Sequence, residues 1–356
     1  MLIRDNYKMN DGLFVNSKDL KMSKSDETVQ NSNKIRCRNY SFDILKFILA
    51  LVIVLHHTPS KYHDFLMPIT TCAVPLFFMI SGYLLFSGEV TRERMKKNAI
   101  RITRIFCWAL FIYFIWYWIR HDAFYSPNFK DICLFVFANN EPIAGHLWYL
   151  TAYAYALTII AILSRIGKEI FLFYIAAAGL VVYFSFDFWH ICNNVPKYLT
   201  LVYCFRNFIF TAIPMIAIGA YIATKKVEIP MHYLVILSVA FTLLALLEIN
   251  YLEANHIADV YFCTIPLALV IFLIFKNITR DKPNLISLCG QKYSLYIYIL
   301  HPIFIKIIGN LFGDDFLLRG ILAFVASLLT SILYVSINEC INGRLKVKNI
   351  ILKEKS

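Results

Sequence analysis

The sequence predicts an all-α fold, a polytopic transmembrane helix bundle of about ten helices with both termini in the cytoplasm. Three observations lead to this fold class. The 356 residues are 59% hydrophobic and 16% charged, whereas soluble globular domains have roughly 45–50% apolar and about 25% charged residues. Apolar stretches long enough to cross a bilayer recur along the chain. Lysine and arginine gather in alternate connections between these stretches, which is typical of membrane proteins.

Each predicted span is an apolar stretch close to the length of about 20 residues that a helix needs to cross the hydrocarbon core. Transmembrane strands are not expected, because ten-residue segments of alternating polarity are absent and an open sheet edge is unsatisfied in lipid. The predicted spans are residues 40–58, 69–87, 102–119, 147–164, 169–187, 205–224, 231–249, 257–275, 285–308 and 320–341.

Charge in the connections predicts the orientation. One alternate set of connections and termini holds 27 lysine and arginine residues and the other holds 7, with Lys46 inside the first span. Cytoplasmic loops carry the excess of positive charge, so we place the larger set in the cytoplasm and the protein in the cell (inner) membrane. The formal net charge of +12 is thereby explained by topology and contact with the lipid bilayer, and we predict no nucleic-acid partner.

We divide the chain into three regions. Residues 1–34 are polar and lack the apolar core of a signal peptide, so they are expected to form a flexible cytoplasmic lead. Residues 35–342 form the transmembrane domain, and residues 343–356 a basic cytoplasmic tail. The nine cysteines are scattered singly without a CxxC pair, which favours buried free thiols. No bound cofactor or metal is predicted.

The first span carries the most informative polar residues, Asp43, Lys46 and His57. Ionisable residues within membrane helices are costly and usually face the bundle interior or a watery cavity. Lys46 and His57 are eleven residues apart, which brings them to within about 20° of one another and roughly 16.5 Å apart along a helix. His56 is about 80° from that line. The alternatives are a lysine that snorkels to the interface and a histidine in the outer headgroup region.

The same stretch resembles the opening helix of the membrane acyltransferase-3 family, whose hallmark is an Arg or Lys separated by ten residues from a His. Lys46 and His57 occupy those positions, with Lys in place of the commoner Arg. Later segments also resemble landmarks of the family, and they occur in the family's order. The matching segments are residues 41–58 (SFDILKFILALVIVLHHT), 75–86 (PLFFMISGYLLF), 146–150 (HLWYL), 206–219 (RNFIFTAIPMIAIG) and 296–302 (YIYILHP).

The resemblance implies an integral-membrane O-acyltransferase that moves an acyl group, usually acetyl, from cytoplasmic acyl-CoA to a hydroxyl of a cell-surface polysaccharide or other glycan or glycolipid. In this interpretation His57 is the general base or a transient acyl carrier. Lys46 flanks the donor path, and Asp43, one turn away, keeps Lys46 charged and oriented. The identity of the acceptor, the length of the acyl chain and the oligomeric state stay open.

Other residues are weaker candidates. Lys97, Arg101 and Arg104 share one helix face at the cytoplasmic end of the third span, where they would bind donor phosphates or anchor the helix to anionic lipid. Four residues near the outer side are candidates for binding the acceptor or supporting the site, although interfacial or structural roles are alternatives for each. They are His146, Trp148, Arg206 and His301, the last followed by Pro302, which loosens its helix by crowding the carbonyl of residue 298.

Two other functions remain as alternatives. One is a transporter of a lipid-linked or small anionic substrate, although no convincing repeat relates the two halves of the chain as in many transporters. The other is a sensor or accessory membrane domain that acts with a separate partner.

Overall fold

The computed structural model describes residues 39–353 apart from 60–62, 89–90, 140, 193–205, 226, 255–261 and 314–315. Every regular element in this part of the chain is helical, which confirms the predicted all-α class. The predicted lead, residues 1–34, lies outside the described residues. The helices are α1 (Ser41–His56), α2 (His63–Thr70), α3 (Ala73–Phe86), α4 (Arg92–His121), α5 (Phe129–Ala138), α6 (Trp148–Arg165), α7 (Phe171–Cys192), α8 (Ile213–Lys225), α9 (Met231–Ala254), α10 (Thr264–Asn277), α11 (Leu285–Lys292), α12 (Ser294–Phe312) and α13 (Phe316–Lys353).

Seven helical segments of the described chain are long and apolar enough to cross a membrane, as judged by length and composition. Two shorter apolar helices cover Phe171–Phe186 and Thr264–Asn277, and α1 has 16 residues. The chain is therefore a helical membrane protein, and the number ten stays a prediction. The seven segments are Phe65–Phe86, Glu93–His121, Gly145–Arg165, Phe208–Lys225, Met231–Tyr251, Ser294–Phe312 and Leu318–Ile341.

Several helix boundaries differ from the sequence-based expectation, among them that of α4, which begins at Arg92 and not near residue 102. The predicted span 285–308 is divided at Tyr293 into α11 and α12, and α11 has its own capping box, in which the Asn284 side chain accepts from the backbone N–H of Ser287. The last helix continues to Lys353, into the region expected as a tail. Past residue 342 there is no proline, and leucine, lysine and arginine outnumber the less favourable Gly343 and Asn349, so the sequence permits the extension.

Helix α1 lies at the centre of the bundle, where it contacts α2, α3, α10, α11, α12 and α13. Beside it, α3 and α8 pack closely through two glycines. A Cβ on Gly82 would collide with the carbonyl of Ile216, and one on Gly219 would collide with that of Met79. Small residues permit such close approach between membrane helices. This packing holds the helices around α1, which carries Asp43, Lys46 and His57.

Candidate active site

Three histidines lie together where the end of α1 meets the turn before α6 and the middle of α12. The ring of His57 stacks on that of His301 with 5.2 Å between centroids, and the His146 ring lies edge-on to His301 at 5.5 Å. We call these residues the histidine cluster. Three of the histidines singled out from the sequence are thus neighbours, although they are far apart in the chain. Because imidazole accepts or donates a proton near neutral pH, the cluster is suited to proton transfer.

His301 is oriented by the proline that follows it. Pro302 has no N–H to bond the carbonyl of Tyr298, and the Nδ1 atom of His301 lies 2.7 Å from that carbonyl oxygen. Because a carbonyl only accepts, Nδ1 carries the proton, and a neutral ring has its lone pair on Nε2. That Nε2 atom is buried without a hydrogen-bond partner among the described residues. The expected effect of Pro302 on the carbonyl of residue 298 is therefore a bond that fixes the ring of His301.

His146 lies in the short 3₁₀ turn Gly145–Leu147, which is bonded to α12. The Tyr298 hydroxyl donates to the main-chain oxygen of His146. The Tyr113 ring lies 5.0 Å from that of His146, and the Tyr113 hydroxyl donates to the carbonyl of Ile299 at 2.7 Å. Nε2 of His146 is also buried without a partner in the described part of the chain. The turn, α4 and α12 therefore present a second imidazole nitrogen with unused hydrogen-bonding capacity.

The segment before this turn is supported by Glu141. Its carboxylate accepts from the backbone N–H of Ile143 at 3.2 Å and from that of Ala144. Burial raises the pKa of Glu141, while the two backbone hydrogen bonds act in the opposite direction. The approach to His146 is thereby fixed by a side chain that sequence reasoning missed. No pattern in the sequence indicated it, because its two partners are backbone groups.

The two adjacent histidines of α1 have different surroundings. Nδ1 of His56 lies 3.1 Å from the Thr70 hydroxyl, whereas His57 is exposed at the end of the helix and stacks on His301. His57 is therefore the member of the pair within the histidine cluster, which agrees with its alignment with Lys46 along the helix.

Lys46 and Asp43 form an ion pair on the same helix. The Lys46 ammonium lies 3.2 Å from a carboxylate oxygen of Asp43, and the exposed fractions of their side chains are 20% and 3%. Helix α11 lies directly against this point, because a Cβ on Gly290 would collide with the carbonyl of Asp43. Low exposure strengthens the attraction within the pair and makes an unpaired charge there costly. The expected contact between Asp43 and Lys46 is therefore present, and the role of Asp43 in keeping Lys46 charged and oriented stays a prediction.

Two cavities meet along α1. The first, which we call the basic cavity, is lined by Lys46, Arg94 and Arg101 together with residues of α3, α6, α11 and α12. The second, which we call the histidine cavity, is lined by residues that include His57, His146 and Trp148. Both linings include Ile53, Val74 and Tyr298. The two cavities are therefore neighbours that share three lining residues, with Lys46 on one and the histidine cluster on the other.

Of the three cations predicted to bind the donor, one lines the basic cavity and two do not. Arg101 lines the basic cavity, whereas Lys97 and Arg104 are exposed and are not among the lining residues. Arg94 and Asn98 are further polar residues of the lining on α4, and they share a face with Arg101 because the spacings are four and three residues. Arg94, Asn98 and Arg101 have the same spacing as Lys97, Arg101 and Arg104, so Arg94 could also have been selected from the sequence.

Arg206 and Trp148 both line the histidine cavity, although the Arg206 side chain is exposed. Arg206 precedes a π-helical turn, Phe208–Ala212, and the Asn207 side chain accepts from two backbone N–H groups of that turn. The Asn139 side chain accepts from its first N–H at 3.1 Å. Such π-helical turns are frequent at functional sites. The sequence indicated Arg206 and Asn207 at the entrance of the sixth span, but not Asn139, which bonds to the turn that follows them.

Comparison with known proteins identifies the family. A family profile described as an acyltransferase domain matches residues 39–336, most of the chain. The chain belongs to the acyltransferase-3 family. This match confirms the resemblance inferred from residues 41–58 and the later segments, and it supports the prediction that the protein is an acyltransferase. In the acyltransferase-3 chain, the segments that carried the resemblance contribute all three residues of the histidine cluster.

Two curated relatives are similar to the chain at low identity. One is an "amino-acid racemase" of Enterococcus faecalis, 24% identical over 294 residues, and the other a "serine/alanine racemase" of Enterococcus gallinarum, 23% identical over 287 residues. Each match covers 74% of this chain and 40% of the relative, so the chain spans about two fifths of their length. No solved structure matches the chain.

Proposed function

We propose that this protein is an integral-membrane O-acyltransferase that transfers acetyl from acetyl-CoA in the cytoplasm to a hydroxyl of a surface glycan. The single observation that carries the proposal is that the basic cavity and the histidine cavity share Tyr298 in their linings, since this sets three cations suited to phosphate beside the proposed base. Membership of the acyltransferase-3 family supports the class of reaction.

The orientation follows from the charge asymmetry. With ten spans and both termini in the cytoplasm, the 27 lysines and arginines of the larger set lie on the cytoplasmic side. Lys46, Arg94 and Arg101 then face the compartment that holds the donor, and Arg forks suit the phosphates of CoA. The histidine cluster faces the outer side, where surface glycans are assembled.

In the proposed reaction, His57 takes the proton of the acceptor hydroxyl as the oxygen attacks the thioester carbonyl. The new C–O bond forms, the C–S bond breaks, and CoA leaves as a thiolate that takes up a proton. His301 stacks on the ring of His57, His146 packs against His301, and both supply acceptor nitrogens nearby. Lys46, kept charged by Asp43, attracts the donor's negative charge into the basic cavity.

A transporter of a small anionic substrate is the second candidate, because two cavities that meet within the bundle also suit passage of a solute. The two functions differ in chemistry. Purified protein in lipid nanodiscs, incubated with acetyl-CoA and a surface-glycan extract, is expected to release free CoA thiol and to acetylate the extract. Passage of solute in proteoliposomes without release of thiol would instead establish the transporter.

A further inference from the structure

A third cavity lies against the histidine cluster and is separate from the basic cavity. We call it the aromatic cavity, and His57 and His146 line both it and the histidine cavity. It has no lining residue in common with the basic cavity among the residues described. Besides these two histidines, its lining includes Tyr113, Trp116, Tyr117, Arg120, Lys306 and Arg319.

Three cations from three helices line this cavity, namely Arg120 of α4, Lys306 of α12 and Arg319 of α13. Arg319 is buried, and its Nε atom donates to the carbonyl of Ile305 at 3.2 Å. The guanidinium lies over Gly309, where a Cβ would collide with it, so the bundle leaves room for this group. A buried arginine in a membrane helix bundle is costly and usually has a function.

The lining of the aromatic cavity contains no aspartate or glutamate among the residues that the structure describes. Glu141 lies behind the wall, with its carboxylate bonded to the backbone N–H groups of Ile143 and Ala144. The charged side chains that line the cavity in the described part of the chain are therefore cations. Such a lining favours a ligand that carries negative charge.

Aromatic rings form one side of the cavity. Tyr113, Trp116 and Tyr117 are three and four residues apart on α4, so they lie on one helix face. Large flat rings with a polar edge bind ligands that have both apolar faces and hydroxyl groups, as sugar rings do. Together with the three cations, this face fits a sugar that bears an anionic group.

We propose that the aromatic cavity binds the acceptor and selects a glycan with a carboxylate or phosphate group near the hydroxyl to be acylated. This inference rests on the proposed function, since it identifies the acceptor of that reaction. The donor reaches His57 through the histidine cavity and the acceptor reaches it through the aromatic cavity. The two substrates thus meet at the imidazole that both cavities share.

Binding of simple sugars without donor tests the inference separately from catalysis. The purified full chain in nanodiscs is titrated with methyl glucoside, glucuronate and glucose 6-phosphate at equal ionic strength, and affinity is measured by microscale thermophoresis. We expect at least one anionic sugar to bind about tenfold more tightly than the neutral one. The stronger of the two anionic sugars identifies carboxylate or phosphate as the preferred group.

The variants Arg120→Gln and Lys306→Gln change exposed side chains and are expected to fold, and each should reduce the preference for the anion severalfold. Arg319→Gln should remove it. Lys130→Gln, which changes an exposed lysine of α5 outside all three cavities, should keep it. Equal or undetectable binding of neutral and anionic sugars by the unmodified protein overturns the inference, as does a preference that survives in Arg120→Gln and Lys306→Gln. Arg94→Gln, which changes a residue of the basic cavity alone, should weaken the use of acetyl-CoA but keep the preference, so failure of the two proposals is distinguishable.

Discussion

The imidazole of His301 lies against that of His57, with 5.2 Å between ring centroids, and its protonated Nδ1 faces the carbonyl of Tyr298 at 2.7 Å. That carbonyl accepts from a side chain because Pro302 cannot donate to it. The interruption of the helix at Pro302 thus orients the ring of His301, which lies beside the proposed base His57.

Replacing Pro302 should therefore separate stability from activity. Pro302→Ala supplies an N–H that competes with His301 for the Tyr298 carbonyl, so His301 loses its orientation and we expect acetyl transfer to fall about tenfold. The same change should stabilise the protein, by up to about 3 kcal/mol, because proline is unfavourable inside a helix. Transfer rate and thermal unfolding in nanodiscs measure the two effects. Pro68→Ala, a proline inside α2, is the control and should leave transfer unchanged. Undiminished transfer in Pro302→Ala would refute the positioning role of His301.

Variants of the Asp43–Lys46 pair should also separate an effect on stability from an effect on acetyl transfer. Asp43→Asn leaves the Lys46 charge without its carboxylate partner, and breaking such a buried pair costs about 3 kcal/mol. The double variant Asp43→Asn with Lys46→Met removes both charges, so it should regain most of the stability. Transfer should remain low in both variants, because the basic cavity has lost its oriented ammonium. Thermal unfolding and acetyl transfer are compared in the same preparations. If the double variant transfers acetyl at the normal rate, the pair has a structural role alone.

The lining of the basic cavity predicts which cations bind the donor. Arg94→Gln and Arg101→Gln should each raise the KM for acetyl-CoA about tenfold, since each removes a charge-assisted bond to phosphate. The effect on kcat should be small, because these side chains lie away from the histidine cluster. Lys168→Gln, an exposed lysine outside the three cavities, is the matched control. The KM is measured by steady-state kinetics at varied acetyl-CoA concentration. An unchanged KM in both arginine variants would contradict donor binding in this cavity.

Close packing of α3 on α8 gives a prediction of stability. Gly82→Ala and Gly219→Ala place a methyl group against the backbone of the facing helix, so the helices must separate, and we expect a loss of about 1–3 kcal/mol. Gly145→Ala is the control for stability, because nothing lies within 4 Å of its Cβ position. Thermal unfolding in nanodiscs measures all three variants. If Gly82→Ala and Gly219→Ala unfold at the same temperature as Gly145→Ala, the helices do not pack as described.

The sequence predicted the helical class and the central histidines because their signals are local. Apolar length identifies membrane helices, and the alignment of Lys46 with His57 follows from helical geometry. The neighbouring positions of His57, His146 and His301 depended on the family resemblance, since nothing local relates α1 to the turn Gly145–Leu147 or to α12.

Other features depend on tertiary packing and had no local signal. Arg120, Lys306 and Arg319 were counted only as three of the seven cations on the outer side, and their common cavity appears once α4, α12 and α13 are assembled. Glu141 was missed because it bonds to backbone groups, which any sequence supplies. The division of the predicted span 285–308, by contrast, had a local signal that was overlooked, because Gly290, Gln291 and Lys292 interrupt the apolar residues just before Tyr293.

The role of His57 is the centre of this account, and acetylation of surface glycans in cells tests it most directly. A strain that lacks the gene is complemented with the unmodified gene, His57→Ala or His232→Ala, the last an exposed histidine outside the three cavities. Glycan acetyl groups are counted by mass spectrometry at matched protein levels. We predict that His232→Ala restores acetylation and that His57→Ala lowers it about a hundredfold or more, as expected for loss of a general base. Full acetylation with His57→Ala would contradict the assignment.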